Sequence, residues 1–252
     1  MPASSEWVSY GAVLECVLFD LYGTLVDIRT DESSVSTGEG FAAWMTEVHG
    51  PAAGARERDR PLYEAIRRTT APGPFGEPEL GPVIAAHLDL VLGRAPDADE
   101  VAAAATAFRV ASRSRLRLVP GTLEALRRLA GRFRLGLVSN AQSLFTRPEL
   151  EELGLRPFFD PLVLSSEVGV RKPGAEIFEH ALAATGVRPT AALHVGDDPH
   201  ADVEGAAALG MRTCLVGPAA ARGSLAVAPD LRAASVADLP ALLLEPRADG
   251  GG

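Results

Sequence analysis

The feature that most constrains this chain is the alternation of short apolar segments with segments of helical spacing. Each apolar segment ends in a small or polar residue, and they cover Leu14–Asp20, Arg134–Ser139, Pro161–Ser165, Ala191–Gly196 and Arg212–Gly217. The helical segments between them are Gly121–Gly131, Pro148–Leu153, Ala175–Thr185 and Val203–Leu209. Strands that alternate with helices in this way predict an α/β fold built on a doubly wound parallel sheet.

A long interval after the first apolar segment breaks this alternation. Between residues 28 and 118 apolar residues repeat at helical spacing, as at Phe41, Trp44, Met45 and Val48, and no segment has the pattern of a strand. We therefore expect an α-helical cap domain over residues 28–118, inserted into a core domain formed by residues 12–27 and 119–245. The Gly-rich residues 246–252 are expected to form a disordered tail.

The overall composition excludes several classes of protein. The chain has 252 residues, 47% of them hydrophobic, which is enough to bury a core. It carries 24 lysine and arginine residues against 33 aspartate and glutamate residues, and no basic block stands out. Nucleic acid is therefore not an expected partner, because affinity for its phosphate backbone depends on clustered cations.

Targeting signals and membrane segments are not expected either. The start of the chain lacks the positive region and apolar stretch of a signal peptide, and no apolar run approaches the roughly 18 residues of a membrane span. We expect a cytoplasmic monomer or homodimer that acts on a small molecule. Cys16 and Cys214 lie in apolar segments and are expected to be buried thiols rather than a disulfide.

Polar residues follow the apolar segments, at the positions where ligands bind in open parallel sheets. They are Asp20, Tyr22 and Thr24 after the first strand, Ser139 and Asn140 after the second, Lys172 after the third, and Asp197, Asp198 and Asp202 after the fourth. Because the carboxyl ends of parallel strands share one edge, we expect these residues to line one crevice.

Lys172 is the only lysine of the chain, so the other 23 basic residues are arginines. A lysine is expected to persist where a compact ammonium cannot be exchanged for a planar guanidinium. This predicts that Lys172 is part of the site.

The residue types at these strand ends favour phosphoryl transfer. Carboxylates with spare oxygens select Mg²⁺, which usually takes one or two protein carboxylates together with substrate phosphate and water. The reaction also needs an in-line nucleophile and positive charge at the equatorial oxygens of the phosphoryl group. Mg²⁺, Lys172 and the Ser139 hydroxyl could stabilise those oxygens.

The four segments, in this order, resemble the four motifs of the haloacid dehalogenase superfamily, and residues 28–118 match its inserted helical cap. The resemblance covers Leu14 to about Gly217. It implies that Asp20 is a nucleophile that forms a covalent aspartyl intermediate. It further implies that Asp20, Asp197 and the Tyr22 backbone carbonyl hold Mg²⁺, and that Ser139 and Lys172 bind the transferring group. Asn140 is a further candidate catalytic residue. Asp202 would orient the loop after the fourth strand, and Thr24 and Asp198 are expected to lie around the site.

Position 22 departs from the pattern of most phosphatases in this superfamily, which have an aspartate there as general acid. A tyrosine, with an ordinary pKa of about 10, is a poor acid near neutrality, and losing a general acid costs about 10²–10⁴ in rate. The superfamily's 2-haloacid dehalogenases do have Asp-x-Tyr-Gly-Thr, since a halide leaves without a proton. Tyr22 therefore favours carbon–halogen cleavage.

Other features favour the phosphatase. The fourth motif of those dehalogenases resembles Ser-Ser-Asn-x-x-Asp and binds no metal, whereas this chain has Gly196-Asp197-Asp198. Their arginine-rich cap segment has no clear counterpart here, and the tyrosine six positions after their motif lysine is Phe178. Carboxylates beside Asp20 would also repel it unless a cation were present. We therefore predict a Mg²⁺-dependent phosphatase of a small phosphorylated metabolite, with two alternatives: a 2-haloacid dehalogenase, and a weakly active member that binds a protein through its cap.

Overall fold

The computed structural model describes residues 13–221 and 223–245 of the chain. Its strands are β1 (Cys16–Phe19), β2 (Val26–Thr30), β3 (Arg113–Leu118), β4 (Arg134–Ser139), β5 (Leu162–Leu164), β6 (Ala192–Gly196), β7 (Arg212–Val216) and β8 (Leu231–Ala233). Six of them form one sheet in the order β5–β4–β1–β6–β7–β8, and all of its neighbouring strands are parallel. Every residue of β1, β6 and β7 is buried, as expected for strands covered on both faces. The predicted α/β fold is confirmed.

The helices fall into two groups, one inserted between β2 and β3 and one that follows β3. Between β2 and β3 lie α1 (Val35–His49), α2 (Pro51–Asp59), α3 (Leu62–Arg68), α4 (Gly81–Leu92) and α5 (Ala98–Ser112). After β3 come α6 (Thr122–Ala130), α7 (Ser143–Glu152), α8 (Ser165–Val168), α9 (Ala175–Thr185), α10 (Gly205–Ala208) and α11 (Leu239–Leu244). The predicted helical insertion is therefore seen, but it lies between β2 and β3 rather than directly after the first strand.

The two faces of the sheet bury separate sets of apolar side chains. Phe19 of β1 packs in one cluster with Leu126 of α6, and its neighbour Leu18 packs in another with Phe178 of α9. This follows from the period of two residues along a strand. Helices on both faces make the sheet doubly wound.

The two cysteines lie on opposite faces of this sheet. Cys16 belongs to the α9 cluster and Cys214 to the α6 cluster, and both are free thiols. Burial raises the pKa of each thiol to about 12, so neither is a reactive thiolate. The predicted buried thiols are confirmed.

The inserted helices have a core of their own. Phe41 and Met45 of α1 pack with Ile84 of α4 and Phe108 of α5, all of them buried. This confirms the helical spacing found in the sequence. Val48, on the same predicted face, is 53% exposed because it stands in the last turn of α1, beyond this cluster.

The expectation that residues 28–118 contain no strand is wrong. β2 and β3 pair antiparallel and carry the chain into and out of the inserted helices. The sequence of β3, Arg-Ser-Arg-Leu-Arg-Leu, has an arginine at every second position. It therefore lacks the run of apolar residues that predicts the other strands. Asp27 on β2 forms ion pairs with Arg115 and Arg117 across the ribbon, so charged side chains help to hold it together.

Two predicted helices have different bounds in the structure. α7 begins at Ser143, five residues before the predicted start, and includes Pro148. The segment predicted as one helix from Val203 is divided between a π-helical turn, Pro199–Glu204, and α10. Asp198 caps that turn by accepting hydrogen bonds from two backbone N–H groups, which starts the helix earlier than the apolar pattern suggests.

The predicted tail 246–252 and residue 12 of the predicted core lie outside the described residues. Within the described residues, no helix combines the length and the apolar character needed to cross a bilayer.

Candidate active site

Asp20 lies directly beyond β1, at the carboxyl edge of the sheet, and is only 7% exposed. Its backbone N–H donates to the Val195 carbonyl on β6, so the sheet ladder fixes the start of its loop. Ser139 Oγ donates to Asp20 Oδ1 at 3.1 Å, and Lys172 Nζ donates to the same oxygen at 2.7 Å. Among the described residues, no side chain donates a hydrogen bond to Asp20 Oδ2.

Lys172 joins two carboxylates through its ammonium group. Nζ donates to Asp20 and, at 2.6 Å, to Asp202 Oδ1, and the residue is 3% exposed. Burial opposes the charge, but the two carboxylates outweigh it and raise the pKa of Lys172. The side chain is therefore a permanent cation beside Asp20.

Asn140 holds Lys172 from the neighbouring strand end. Asn140 Oδ1 accepts the backbone N–H of Lys172 at 2.7 Å, and its Nδ2 donates to the backbone carbonyl of Lys172 at 3.0 Å. Asn140 thus positions Lys172 through the backbone rather than presenting its own amide to Asp20.

Asp197 follows β6 and is held against the loop after β1. Thr24 Oγ1 donates to Asp197 Oδ1 at 3.2 Å. Gly23 has a φ of 91°, and a Cβ at this position would overlap the Asp197 carboxylate. Only glycine meets both conditions, which explains the Gly-Thr pair of the first motif.

Asp202 reaches back from the π-helical turn and is fully engaged. Its Oδ1 accepts from Lys172 and lies 2.9 Å from His194 Nε2, while its Oδ2 accepts the backbone N–H of Asp198 at 3.0 Å. Burial alone would raise the pKa of Asp202, but Lys172 and His194 outweigh burial and hold the pKa below its usual range. Asp202 therefore orients the loop and the lysine.

The carboxylates of Asp20, Asp197 and Asp202 bring ligand atoms within 4.8 Å of one another. Burial, followed by the charges of Asp20 and Asp202, raises the pKa of Asp197 to about 6. Burial also raises the pKa of Asp20, although Lys172 opposes it. One ammonium does not offset three carboxylates, so the donor set fits a divalent cation. Asp20 and Asp197 would hold it, because Asp202 is already saturated.

The Tyr22 side chain is directed toward α7 and the inserted helices. Its hydroxyl donates to Glu149 Oε2 in a short hydrogen bond and lies 3.0 Å from Thr146 Oγ1. Arg109 of α5 donates from Nε to Glu149 Oε1 at 2.8 Å, and its guanidinium lies 5.8 Å from the Tyr22 ring centroid. Burial, followed by the Glu149 charge, raises the pKa of Tyr22.

A backbone bridge and the side chain of Gln142 also join the inserted segment to the core beside the site. Glu77 N–H donates to the Gly169 carbonyl, and Arg171 N–H donates to the Phe75 carbonyl, in an antiparallel bridge next to Lys172. Gln142, at the start of α7, donates to Glu77 Oε1 at 2.6 Å and also contacts the backbone of Pro78 and Leu80.

The structure brings together Asp20, Ser139, Lys172, Asp197 and Asp202, all of which the sequence singled out. Asp198 lies next to them, but its carboxylate accepts the backbone N–H groups of His200 and Ala201. Sequence reasoning missed His194, Glu149, Arg109 and Gln142. Glu149 and Arg109 sit in helices without a motif. His194 gave one usable signal, a polar residue inside a strand whose other residues are apolar.

Comparisons with known proteins identify relatives of this arrangement. A family model for haloacid dehalogenase-like hydrolases matches residues 14–210. A glyceraldehyde 3-phosphate phosphatase of Methanopyrus kandleri is 36% identical over 131 residues, which are 50% of this chain and 56% of the relative. The pyrimidine 5′-nucleotidase YjjG of Escherichia coli is 34% identical over 126 residues, with the same two shares. The match thus spans about half the length of these curated relatives.

A solved structure extends the likeness over most of the chain. The 2-haloacid dehalogenase of Pseudomonas syringae superposes with a TM-score of 0.62 and 24% identity, over 92% of this chain and 98% of that one. At this identity the likeness concerns the fold.

Proposed function

We propose a function from the premise that this chain belongs to the haloacid dehalogenase-like hydrolase family and is a hydrolase. Its proposed activity is the Mg²⁺-dependent removal of phosphate from a small phosphorylated metabolite. The observation that carries this proposal is the pair Asp20 and Asp197, two carboxylates at one buried edge with a surplus of negative charge. Curated relatives named as phosphatases and a nucleotidase support it.

In the proposed reaction, an Asp20 carboxylate oxygen attacks phosphorus and forms an aspartyl phosphate. Lys172 offsets charge on Asp20 and on the phosphoryl oxygens, and Ser139 adds a hydrogen bond. Asn140 and Asp202 keep Lys172 in place. Mg²⁺, held by Asp20, Asp197 and the Tyr22 backbone carbonyl, would neutralise charge on the transferring group. Water then hydrolyses the intermediate and restores the Asp20 carboxylate.

The first prediction concerns the cation. With 4-nitrophenyl phosphate as a generic substrate, EDTA should stop turnover and added Mg²⁺ should restore it. Asp197→Asn should weaken Mg²⁺ binding by roughly a hundredfold or more. Losing a residue that only supports a metal ligand already costs up to about a hundredfold in metal affinity, and Asp197 would be a ligand itself. The Mg²⁺-dependent rise of the unfolding temperature measures this binding independently of activity.

Asp89→Asn is the matched control, because Asp89 is an exposed aspartate on α4. It should keep both the turnover and the thermal response to Mg²⁺. Turnover that persists in EDTA, or an Asp197→Asn variant that responds to Mg²⁺ like the control, would contradict the proposal.

Tyr22 favours a second candidate, hydrolysis of a 2-haloacid, because a halide departs without a proton. In that reaction Asp20 would attack carbon and form an ester instead of an aspartyl phosphate. Chloride release from 2-chloropropionate in the presence of EDTA, without release of phosphate from any phosphate ester, would support this candidate over the phosphatase. If neither product forms, binding of a protein through the cap becomes the favoured hypothesis.

A further inference from the structure

The Tyr22 hydroxyl is committed to a polar cluster on the side of the site formed by α5 and α7. The hydroxyl donates a hydrogen bond to Glu149, which is 3% exposed, and it also contacts Thr146. Glu149 is in turn held by Arg109 and by Arg113. Four residues from two helices and β3 therefore fix the direction in which this hydroxyl points.

This arrangement matters because Tyr22 stands two residues after the proposed nucleophile. Most phosphatases of the superfamily have an aspartate at this position, which gives a proton to the leaving group. Among the described residues, the side chains that hydrogen-bond Asp20 are Ser139 and Lys172. The Lys172 ammonium is shared between two carboxylates, and the Ser139 hydroxyl donates to Asp20 itself. Neither is arranged to protonate a departing alkoxide.

The histidines near the site are also committed elsewhere. His194 lies behind Asp202, is 1% exposed, and contacts the carboxylate through Nε2. His200 is exposed in the loop after β6, and its Nδ1 lies 2.7 Å from Glu204. Neither imidazole makes a hydrogen bond to Asp20 within the part of the chain that the structure describes.

We propose that the site acts on phosphate compounds whose leaving group departs as a stable anion without receiving a proton, acyl phosphates above all, and discriminates against alkyl phosphate esters. This inference rests on the proposed phosphatase function and adds the chemical class of the substrate. A carboxylate leaving group is stable at neutral pH, since its conjugate acid has an ordinary pKa of about 4. An alkoxide is not stable under these conditions and needs a general acid.

The first step then balances without a proton. A bond forms between an Asp20 carboxylate oxygen and phosphorus, the bond from phosphorus to the acyl oxygen breaks, and its electron pair leaves on the carboxylate product. In the second step a water oxygen bonds to phosphorus, and the electron pair of the breaking bond returns to Asp20. One water proton stays with the phosphate and the other passes to solvent.

The test is a leaving-group series measured on the full chain with Mg²⁺. Its substrates are acetyl phosphate, 4-nitrophenyl phosphate, phenyl phosphate and glycerol phosphate, with the spontaneous rate subtracted. Because a general acid contributes about 10²–10⁴ in rate, kcat/KM should fall at least about a hundredfold from acetyl phosphate to glycerol phosphate. A fall clearly smaller than the roughly hundredfold that a general acid contributes would overturn the inference while leaving the phosphatase intact.

A substitution at position 22 gives a second readout. Tyr22→Asp supplies an acid and should raise kcat/KM for phenyl phosphate and glycerol phosphate more than for acetyl phosphate, which flattens the series. A folded variant, judged by its thermal unfolding, that leaves the slope unchanged would contradict the inference. The wild-type series decides the matter even if this variant does not fold. Absence of enzyme-dependent phosphate release from all four compounds would overturn the proposed function together with this inference.

Discussion

Lys172 illustrates how one atom can determine a site. Its Nζ lies 2.7 Å from Asp20 and 2.6 Å from Asp202, and a single nitrogen serves both carboxylates in a buried space. An arginine would bring a larger, planar group with its charge spread over three nitrogens. The exclusive use of lysine here, in a chain otherwise rich in arginine, follows from that geometry.

Lys172→Arg should therefore lower kcat about a hundredfold, since a misplacement of about 1 Å at the chemistry costs that much. The measurement is steady-state turnover of 4-nitrophenyl phosphate. Arg171→Lys is the matched control at the neighbouring exposed position, and it should keep its activity. Equal rates for the two variants would show that the charge alone matters and the shape of the group does not.

The residues around Asp20 could be predicted from the sequence, because each carries a signal of its own. Ser139 and Asp197 stand at the ends of apolar segments, and Lys172 is the only lysine of the chain. Glu149 and Arg109 could not be predicted, since their contact joins α7 to a helix of the insertion 40 residues away. That contact depends on how the helices pack, which no local pattern encodes.

At the level of elements, the insertion contacts α7 of the core at two places, the start of the helix and its last turns. Gln142 at its start contacts residues 77–80, and Glu149 near its end contacts Arg109 of α5. The ribbon of β2 and β3 provides the covalent connection. α7 thus contacts the insertion at both of its ends.

Gln142→Ala should loosen this contact and raise KM several-fold with a smaller change in kcat, because closing segments bind and enclose substrate. Hydrogen exchange of residues 75–80 should become faster. Arg94→Ala is the control, since the contacts it removes, an ion pair with Glu100 and a hydrogen bond to the Ala95 carbonyl, lie within the insertion and do not involve α7. If exchange at residues 75–80 matched that of the control, this contact could not be what holds the segment down.

The element boundaries show where apolar patterns suffice. The buried strands β1, β6 and β7 could be predicted because they are buried on both faces and most of their residues are apolar. The ribbon strand β3 was missed because its stability comes from pairing with β2 and from ion pairs with Asp27. Cross-strand pairing is not visible in one strand's sequence.

On the scale of the whole molecule, the chain has separate apolar cores for the sheet and for the inserted helices. Phe41 is fully buried in the core of the inserted helices, where it stacks on Trp44 and meets Phe108 edge-on. Damage to that core should therefore spread through the inserted helices before it reaches the sheet.

Phe41→Ala should destabilise the inserted helices by about 3–5 kcal/mol, the usual cost of removing a buried phenylalanine. Hydrogen exchange should lose protection in α1, α4 and α5, while β1, β6 and β7 keep theirs. Val35→Ala, at a position that is 83% exposed, should change stability by about 0.5 kcal/mol or less. Equal loss of protection in both parts would show that they unfold as one unit.

The most direct test of the account is to look for the covalent intermediate on Asp20. A reaction with acetyl phosphate and Mg²⁺ is quenched in acid within the first turnovers, and the intact mass and peptide map of the protein are measured. We predict one added phosphoryl group, located on the peptide that contains Asp20 and absent from Asp20→Asn, which should also be inactive. Turnover without any adduct, together with an active Asp20→Asn variant, would contradict the proposal that Asp20 is the nucleophile.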